Sequence, residues 1–313
     1  YIMRDKFIET FKNLVEKNKK LILITADLGF GVLDNFIKKY PKNFINVGVA
    51  EQNMSGVATG LSKKGFNVFV YSLGNFPTMR CLEQIRNDAA YHNSNIKIVN
   101  VGGGYSYGQL GFSHHATEDL SIMRTIPEVN IISPFDEYET QKATKFLAKA
   151  KGVYYFRLDK KRPNVNNTQI NINTKRQNYI YGKMFTIFSW KDLVIFSIGG
   201  ILNIVINVFK ILEKKKIIPT LVSCHTLKPI DKIMIKKLCK NNKKIIVIEE
   251  NSKIGGLASA IGDVCLENSI QPRVFKSFGI ENKFIKEVGD RDYLLKLSKL
   301  DENSLTKEIL KLF

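Results

Sequence analysis

The stretch Asn46-Val-Gly-Val-Ala-Glu-Gln-Asn-Met54 decides the fold of this chain and points to its chemistry. An apolar, strand-like segment ends here and an apolar helix begins, with the carboxylate of Glu51 in the first helical turn. In open α/β sheets, ligands bind just outside the carboxyl ends of the strands, so Glu51 is a candidate ligand-binding group. A first-turn acid that only complements the helix dipole would occupy the same position, and the residue pattern alone does not separate the two interpretations.

Short β-branched runs alternate with helix-like segments on both sides of this stretch, which is typical of a parallel α/β sheet. One continuous helix is predicted over residues 78–91. Predicted strands lie at 21–25, 43–47, 67–71, 95–101, 129–133 and 153–158, and again at 193–198, 220–223, 244–249 and 274–277. The predicted fold class is α/β, with two parallel-sheet sandwich domains.

The alternation stops once, in a polar stretch rich in Asn, Lys, Arg and Thr, which is the composition of a linker. This predicts a first domain over residues 1–160, a linker over 161–178 and a second domain over 179–313. No internal repeat is visible.

The strongly basic composition does not predict a nucleic-acid-binding protein. Lys+Arg 48 against Asp+Glu 29 gives a formal net charge of +19, but only nine of the basic residues are arginine and the lysines are scattered. Nucleic-acid binding predicts clustered arginines with stacking aromatic residues on one face, and neither is visible in the sequence.

Membrane, secretory and zinc-binding classes are not predicted either. No apolar run reaches the roughly 18 to 20 residues that cross a bilayer. The first twenty residues are amphipathic and contain acids, unlike a signal peptide. The four cysteines show neither a CxxC spacing nor a pairing with histidines that would hold zinc. We therefore expect no metal site in this chain, and a reduced, cytoplasmic location.

Several motifs in the same order resemble the transketolase family. Gly48-Val-Ala-Glu-Gln-Asn-Met54 is similar to the family's GVxEQxM motif, and the resemblance covers nearly the whole chain. The other stretches that carry it are Ala26-Asp27-Leu28, Tyr71-Ser72 through Phe76, Gln84 through Asn87, Ser113-His114-His115 with Glu118-Asp119, Met123 through Pro127, Leu227 through Asp231, and Glu249 through Leu257. The resemblance implies a thiamine-diphosphate-fold pyrimidine domain followed by a transketolase C-terminal domain.

The chain lacks the GDG…N motif by which a full transketolase holds the diphosphate of thiamine diphosphate through a divalent cation. It therefore resembles the C-terminal half of a split transketolase. The resemblance implies that an N-terminal subunit completes the cofactor site, holds Mg²⁺ or another divalent cation, and assembles with this chain as α2β2. Two-carbon ketol transfer between sugars or sugar phosphates is the implied reaction.

The same resemblance assigns roles to the residues around Glu51. Glu51 would share a proton with N1′ of the aminopyrimidine, and burial of a carboxyl group raises its pKa in a way that suits this task. Phe76 would stack on the pyrimidine, although a plain core aromatic is the alternative. Leu73 and Met79 would complete the pocket, and Asp27 and Leu28 would border the thiazolium side of the cofactor.

Three further residues are assigned to the substrate by resemblance. His114 would bond the sugar's oxygens and move protons, and His115 takes a position where the family has glutamine. Without the resemblance, the two histidines followed by Glu118-Asp119 could indicate a metal site, but adjacent residues rarely point at one ion, and Thr117 with Glu118 fits a helix start better. Arg157 would bind a substrate phosphate; a surface cation is the alternative.

The glycine-rich loop from Gly102 to Gly111 allows close backbone approach to a ligand but is not a GxGxxG fingerprint that opens a helix. It also departs from the family pattern. Gly102 stands where ordinary transketolases have a phosphate-binding histidine, and Leu110 where they have an aspartate that contacts a donor hydroxyl. Removing polar groups from a sugar site changes which substrate is accepted, so we expect a specialised pathway such as surface-polysaccharide or unusual-sugar synthesis.

Other functions fit the sequence less well. The β subunit of the decarboxylase component of a 2-oxoacid dehydrogenase shares the two-domain plan, but the Ser113–Asp119 and Glu249–Asn251 segments fit transketolase better. Deoxyxylulose-phosphate synthase is related but is normally one long chain. A partner subunit with only a structural role would not need Glu51.

Overall fold

The structure, a computed structural model, describes residues 3–160 and 179–313. The predicted linker 161–178 lies outside the described residues. The first described range contains, in chain order, α1 Met3–Lys17, β1 Leu21–Thr25, α2 Asp34–Lys39, β2 Phe44–Asn46, α3 Glu51–Lys63, β3 Asn67–Leu73, α4 Leu82–Gln84, β4 Ile96–Val101, α5 Asp119–Thr125, β5 Val129–Ile132, α6 Glu137–Leu147 and β6 Val153–Leu158.

The second range has the same alternating composition and continues the series. Its elements are β7 Phe185–Phe188, β8 Leu193–Ile198, α7 Leu202–Lys214, β9 Thr220–Ser223, β10 Thr226–Lys228, α8 Lys232–Asn241, β11 Lys244–Ser252, α9 Leu257–Glu267, β12 Val274–Ile280, α10 Arg291–Leu297 and α11 Glu302–Leu310. The α/β prediction is confirmed, and the predicted strands are all present with bounds shifted by a few residues at most.

Two sheets form the framework of the described residues. The first has seven strands in the order β10-β5-β6-β4-β3-β1-β2, and the second has five in the order β12-β11-β8-β9-β7. Most neighbours are parallel, and buried β-branched runs such as Leu21–Thr25 and Val153–Leu158 fit strands covered on both faces. One edge strand of each sheet, β10 and β7, is antiparallel, which the sequence pattern did not predict.

Strand β10 belongs to the second half of the chain but pairs with β5 of the first sheet, at Thr226 with Ile132 and Lys228 with Ile131. The Nζ atom of Lys228 donates to the carbonyl oxygens of Arg124 (3.0 Å) and Ile126 (2.5 Å) at the end of α5. These bonds satisfy carbonyls that a helix end leaves unpaired. The two halves of the chain therefore share a sheet as well as an interface.

Helices cover both faces of each sheet. One apolar cluster lies between the first sheet and α1, α2 and α6, and a second lies between the second sheet and α7, α10 and α11. A third cluster joins α3 and α5 of the first half to α8 and α9 of the second. This shared core fixes the relative position of the loops at the carboxyl ends of the strands, where the candidate site lies.

Candidate active site

The residues assigned to the cofactor meet at the carboxyl edge of the first sheet. Strands β1, β2 and β3 are parallel neighbours, and Thr25 at the end of β1 pairs with Asn46 of β2 and Tyr71 of β3. The chain therefore leaves these three strands at neighbouring positions on the same edge of the sheet. Asp27 and Leu28 follow β1, Glu51 follows β2, and Leu73 ends β3.

Asn46, whose role was not predicted from the sequence, ties two of these strand ends together. Its Oδ1 atom accepts hydrogen bonds from the backbone N–H groups of Asp27 (2.9 Å) and Gly48 (3.0 Å), and its Nδ2 atom donates to Asp27 Oδ1 (3.1 Å). Asp27 itself has a positive φ of 56°, a conformation that Asp adopts more readily than most residues. The loop after β1 is thus held in one shape beside the start of α3.

Glu51 is the first residue of α3, and only 3% of it is exposed. Its Oε2 atom accepts a hydrogen bond from Nη1 of Arg80 at 2.8 Å. A carboxylate that served only the helix dipole could stay in water, where charges are not penalised by desolvation. The burial of Glu51 therefore favours the ligand-binding interpretation over the dipole interpretation.

Phe76, Arg80 and His114 complete a connected cluster around Glu51. The guanidinium carbon of Arg80 lies 4.2 Å from the centre of the Phe76 ring. The ring of His114 meets the ring of Phe76 edge-on, with centres 5.2 Å apart. Arg80 was not predicted from the sequence, because Phe76 lies in the turn before the helical segment and no regular helical spacing pairs the two side chains.

The segment that follows Phe76 and carries Arg80 is helical but is not the single α-helix predicted over residues 78–91. It begins as a 3₁₀ turn at Met79–Cys81, passes through α4, and continues as a π-helix at Ile85–Ala90. Such changes of helical type are frequent at functional sites. Before it, a Cβ on Gly74 would lie 3.0 Å from the carbonyl oxygen of His114, so the two loops pack closely.

A cavity of about 170 Å³ opens beside this cluster, between the two halves of the chain. The first half supplies polar groups as well as Met79 and Phe112 to its wall, and the second half supplies Lys283 and apolar side chains. The lining residues are Asn75, Met79, Tyr105, Phe112, Ser113, His115, Thr117, Glu118, Ile280, Lys283, Phe284 and Ile285. Its size and mixed lining fit a small polar ligand.

The two histidines differ in their surroundings. Burial and the nearby charge of Arg80 lower the pKa of His114, whose Nδ1 atom lies 3.0 Å from Ser113 Oγ. Burial also lowers the pKa of His115, which packs edge-on against Tyr105 and has an Nε2 atom without a partner among the described residues. Both rings are therefore neutral at neutral pH and can accept or donate hydrogen bonds.

The structure does not bring Arg157 to the wall of this cavity. Only 2% of Arg157 is exposed. Its Nε atom pairs with Asp119 Oδ2 at 2.7 Å, and its Nη2 atom donates to the carbonyl oxygens of Ala116 (3.0 Å) and Glu250 (2.9 Å). The surface-cation interpretation is wrong, and contact with a substrate phosphate would require this buried network to open.

Glu249 and Glu250 of the second half are neighbours in the chain, lie behind the cavity and make different contacts. Both oxygens of Glu249 accept from backbone N–H groups at the start of α9, at 2.8 and 2.9 Å, while burial raises its pKa to about 7. Glu250 accepts from the backbone N–H of Tyr105 (2.8 Å) and pairs with Arg291, which also reaches Asp159. The contacts of Glu250 and Arg291 therefore join Tyr105, a residue of the cavity wall, and Asp159 to the second half of the chain.

Gly102, one of the two departures from the family pattern, has no room for a side chain. Its φ is +104°, and a Cβ atom built on it would lie 2.2 Å from the ring of Tyr107. A histidine at this position would need both a different backbone and a displaced tyrosine. Leu110, the second departure, is 56% exposed.

Residues 3–160 and 179–313 contain no group of three or more His, Cys, Asp or Glu side chains that could hold a metal ion. Within the same ranges, no helix has the length and apolar character needed to span a membrane. All four cysteines fall in these ranges and are buried free thiols.

Comparison with known proteins agrees with this geometry. The family model of the transketolase pyrimidine-binding domain matches residues 2–165, and that of the transketolase C-terminal domain matches residues 183–304. The fold and the family models thus define one class. The chain belongs to the transketolase family and corresponds to its C-terminal half, as the motifs predicted.

Relatives of the same length share this organisation. A putative transketolase C-terminal section from Methanocaldococcus jannaschii is 35% identical over 98% of this chain and 95% of its own length. One subunit of an apulose-4-phosphate transketolase from Phocaeicola vulgatus is 32% identical, over 87% and 86% of the two chains. A solved structure described as a split gene transketolase, inactive beta4 tetramer, superposes with a TM-score of 0.85 at 29% identity, covering 99% of this chain and 97% of that one.

Proposed function

We propose that this chain is the C-terminal subunit of a thiamine-diphosphate-dependent, transketolase-like transferase that moves a two-carbon ketol unit between sugars. The observation that carries the proposal is the buried Glu51 carboxylate, which shares the guanidinium group of Arg80 with the Phe76 ring at the carboxyl edge of the first sheet. A buried carboxylate near an aromatic ring can bind a planar, protonated heterocycle, because the carboxylate accepts its proton and the ring stacks on its face. The family membership is consistent with this interpretation.

The residues present fit the pyrimidine half of thiamine diphosphate. Glu51 would hold the proton at N1′ of the ring, and Phe76 would stack on its face. Leu73 and Met79 would close the pocket around the ring, and Asp27 and Leu28 would border the thiazolium side. When bound, thiamine diphosphate supplies the nucleophilic carbon to which the two-carbon unit is attached.

His114 is the residue proposed to act on the sugar. Its edge contact with Phe76 sets it beside the proposed ring position, and its lowered pKa leaves it neutral. A neutral imidazole can bind a hydroxyl group and accept or return its proton. His115, whose buried Nε2 atom lacks a partner among the described residues, would bind a second sugar oxygen.

A partner subunit would complete the site. Phe30 and Val49 are each 76% exposed, and Phe112 is 63% exposed, all in the loops at the carboxyl edge of the first sheet. Exposed apolar groups around an incomplete site fit a protein interface. We propose that an N-terminal transketolase subunit covers them, holds the diphosphate and a divalent cation such as Mg²⁺, and forms an α2β2 assembly. The inactive beta4 tetramer of a relative supports the need for such a partner.

The substrates are proposed to be sugars or sugar phosphates of a specialised pathway. A relative acts on apulose 4-phosphate by its name, and in this chain Gly102 and Leu110 replace polar groups of the ordinary sugar site. No role in binding nucleic acid or a membrane is proposed, and a cytoplasmic location stays a prediction. We expect a low rate on xylulose 5-phosphate with ribose 5-phosphate, which a panel of ketose donors would measure.

The test is reconstitution with the companion N-terminal subunit. The chain co-expressed with that subunit should transfer ketol units when given thiamine diphosphate and Mg²⁺, and the chain alone should not. Glu51→Gln in the complex should lower the rate by a factor of about 10²–10⁴ while the circular dichroism spectrum is unchanged. Glu302→Gln, the same exchange in the first turn of α11, should leave the rate unchanged.

Two outcomes would contradict the proposal. Turnover by this chain in the absence of a partner would remove the need for a split site. A complex that decarboxylates 2-oxo acids and transfers no ketol unit would instead be a dehydrogenase component.

A further inference from the structure

The guanidinium group of Arg80 already makes the two contacts proposed for the cofactor ring. It donates to Glu51 Oε2 at 2.8 Å and lies over the face of Phe76, with its carbon 4.2 Å from the ring centre. A guanidinium group is planar, carries hydrogen-bond donors at its edge and stacks well on aromatic faces. These are also the properties of a protonated aminopyrimidine.

The two groups cannot occupy this place together. One donor already meets Glu51 Oε2, and the stacked guanidinium lies at van der Waals distance from the Phe76 ring, where a second flat group would have to lie. Stacked planar groups need separations of about 3.5–4.0 Å. A ring that binds Glu51 and Phe76 must therefore displace the side chain of Arg80.

The side chain of Arg80 is free to leave, whereas the backbone that carries it is fixed. The side chain is 45% exposed, against 3% for that of Glu51. The backbone N–H of Arg80 donates to the carbonyl oxygen of Asn75 at 3.3 Å, and the next residue, Cys81, is buried with its Sγ atom 3.1 Å from the carbonyl oxygen of Phe76. A rotation of the Arg80 side chain into solvent frees the space at Glu51 and Phe76 without moving the 3₁₀ turn.

We propose that Arg80 occupies and closes the pyrimidine subsite when it is empty, and that cofactor binding requires displacement of Arg80 from Glu51 and Phe76. The inference rests on the proposed function, because it assumes that the ring enters at Glu51. In the structure, Arg80 supplies the counter-charge that the buried carboxylate of Glu51 needs. The cofactor therefore competes with the Arg80 side chain, and it binds with lower affinity than it would if that side chain were absent.

The expected effect is moderate. The half-exposed ion pair and the cation–π contact are both weak and must both be lost when the ring enters, so removing them should tighten cofactor binding about tenfold. Because the competitor must leave before the ring enters, the association rate should rise as well.

The experiment measures binding of thiamine diphosphate, with Mg²⁺ present, to the complex of this chain with its companion subunit. Equilibrium dialysis gives the Kd, and stopped-flow fluorescence gives the association rate, so neither readout depends on turnover. Arg80→Ala removes both contacts, while Arg80→Gln keeps a planar donor without the charge. Arg273→Ala removes one exposed arginine of the second half as the charge control.

We expect Arg80→Ala to lower the Kd about tenfold, Arg80→Gln to lower it less, and Arg273→Ala to leave it unchanged. If both Arg80 variants bind the cofactor with unchanged or weaker affinity, while the wild-type complex binds it normally, the displacement model is wrong and the proposed function stands. If the wild-type complex does not bind thiamine diphosphate at all, both fail. If Arg80→Ala does not fold, Arg80→Gln alone decides between these results.

Discussion

The carboxylate of Asp119 and the guanidinium of Arg157 form an ion pair of 2.7 Å in which the two side chains are 0% and 2% exposed. Tyr155 adds a hydroxyl that donates to the same Asp119 oxygen at 2.5 Å. Arg157 also binds the carbonyl oxygen of Glu250 from the second half of the chain. The pair therefore lies at the centre of the contact between the two halves, directly behind the candidate site.

Breaking this pair from one side should be strongly destabilising. Arg157→Met leaves Asp119 buried without its counter-charge, which should lower the free energy of unfolding by about 3–5 kcal/mol. Urea denaturation followed by circular dichroism measures the change. The matched control is Lys232→Met, which removes a pair with Glu267 whose side chains are 58% and 57% exposed, and which should cost less than about 1 kcal/mol. Equal effects of the two substitutions would show that burial of the pair does not matter.

The buried His225 should make stability depend on pH. Burial lowers its pKa from 6.5 to about 4. Between these values the unfolded chain takes up a proton that the folded chain does not, so the free energy of unfolding falls as the pH falls from 6.5 toward 4. His225→Phe keeps a ring to stack on Tyr179, which lies 4.4 Å away, but cannot be protonated.

Urea denaturation at pH 7 and pH 4.5 tests this expectation. Wild type should lose about 2–3 kcal/mol more than His225→Phe between the two values. Because all other titrating groups are common to both proteins, the difference isolates His225. An equal loss of unfolding free energy between pH 7 and pH 4.5 in the two proteins would contradict this expectation.

Gly102 should not tolerate even a methyl group. In Gly102→Ala the positive φ is strained and the new Cβ would meet the Tyr107 ring, so the free energy of unfolding should fall by about 2–4 kcal/mol. Gly60→Ala is the control, because Gly60 lies inside α3 with no atom within 4 Å of the added carbon. That substitution should raise the free energy of unfolding by about 0.5–1 kcal/mol. Thermal unfolding of the two variants side by side gives the comparison, and a stable Gly102→Ala would contradict it.

Replacing His114 should affect the reaction more than the cofactor. His114→Gln in the complete complex should lower kcat by a factor of about 10²–10³, since a proton-transferring group is lost. The Kd for thiamine diphosphate should be unchanged, because Glu51 and Phe76 remain. His92→Gln, at an exposed position, is the control. A weakened cofactor affinity with unchanged kcat would assign His114 to the cofactor instead.

The sequence predicted those parts of the molecule that depend on local patterns. The alternation of β-branched runs with helices predicted the α/β fold, and the resemblance of Gly48–Met54 to a transketolase motif singled out Glu51, which the residue pattern alone had left between two interpretations. The resemblance also assigned Asp27 and Leu73 to the cofactor, and the structure places both at the same sheet edge as Glu51, where the ends of parallel strands meet.

What the sequence did not predict depends on contacts between distant residues. The burial of Arg157 is caused by Asp119 and by a carbonyl 93 residues away in the chain, and a lone arginine at a strand end gives no sign of it. The short antiparallel strands β7 and β10 are set by their tertiary neighbours, since three or four residues carry too little periodicity. Arg80 was missed because its role depends on which side chain it reaches.

The pairing of β10 with β5 limits how this protein can be recombined. A chimera that takes its second half from a relative would also replace the border strand of the first sheet and the lysine that binds the end of α5. Such a chimera must either keep Thr226–Lys228 of this chain beside β5, or use a donor strand that pairs with β5 in the same register. Any crossover site placed between residues 160 and 179 therefore divides the polypeptide but not the sheet.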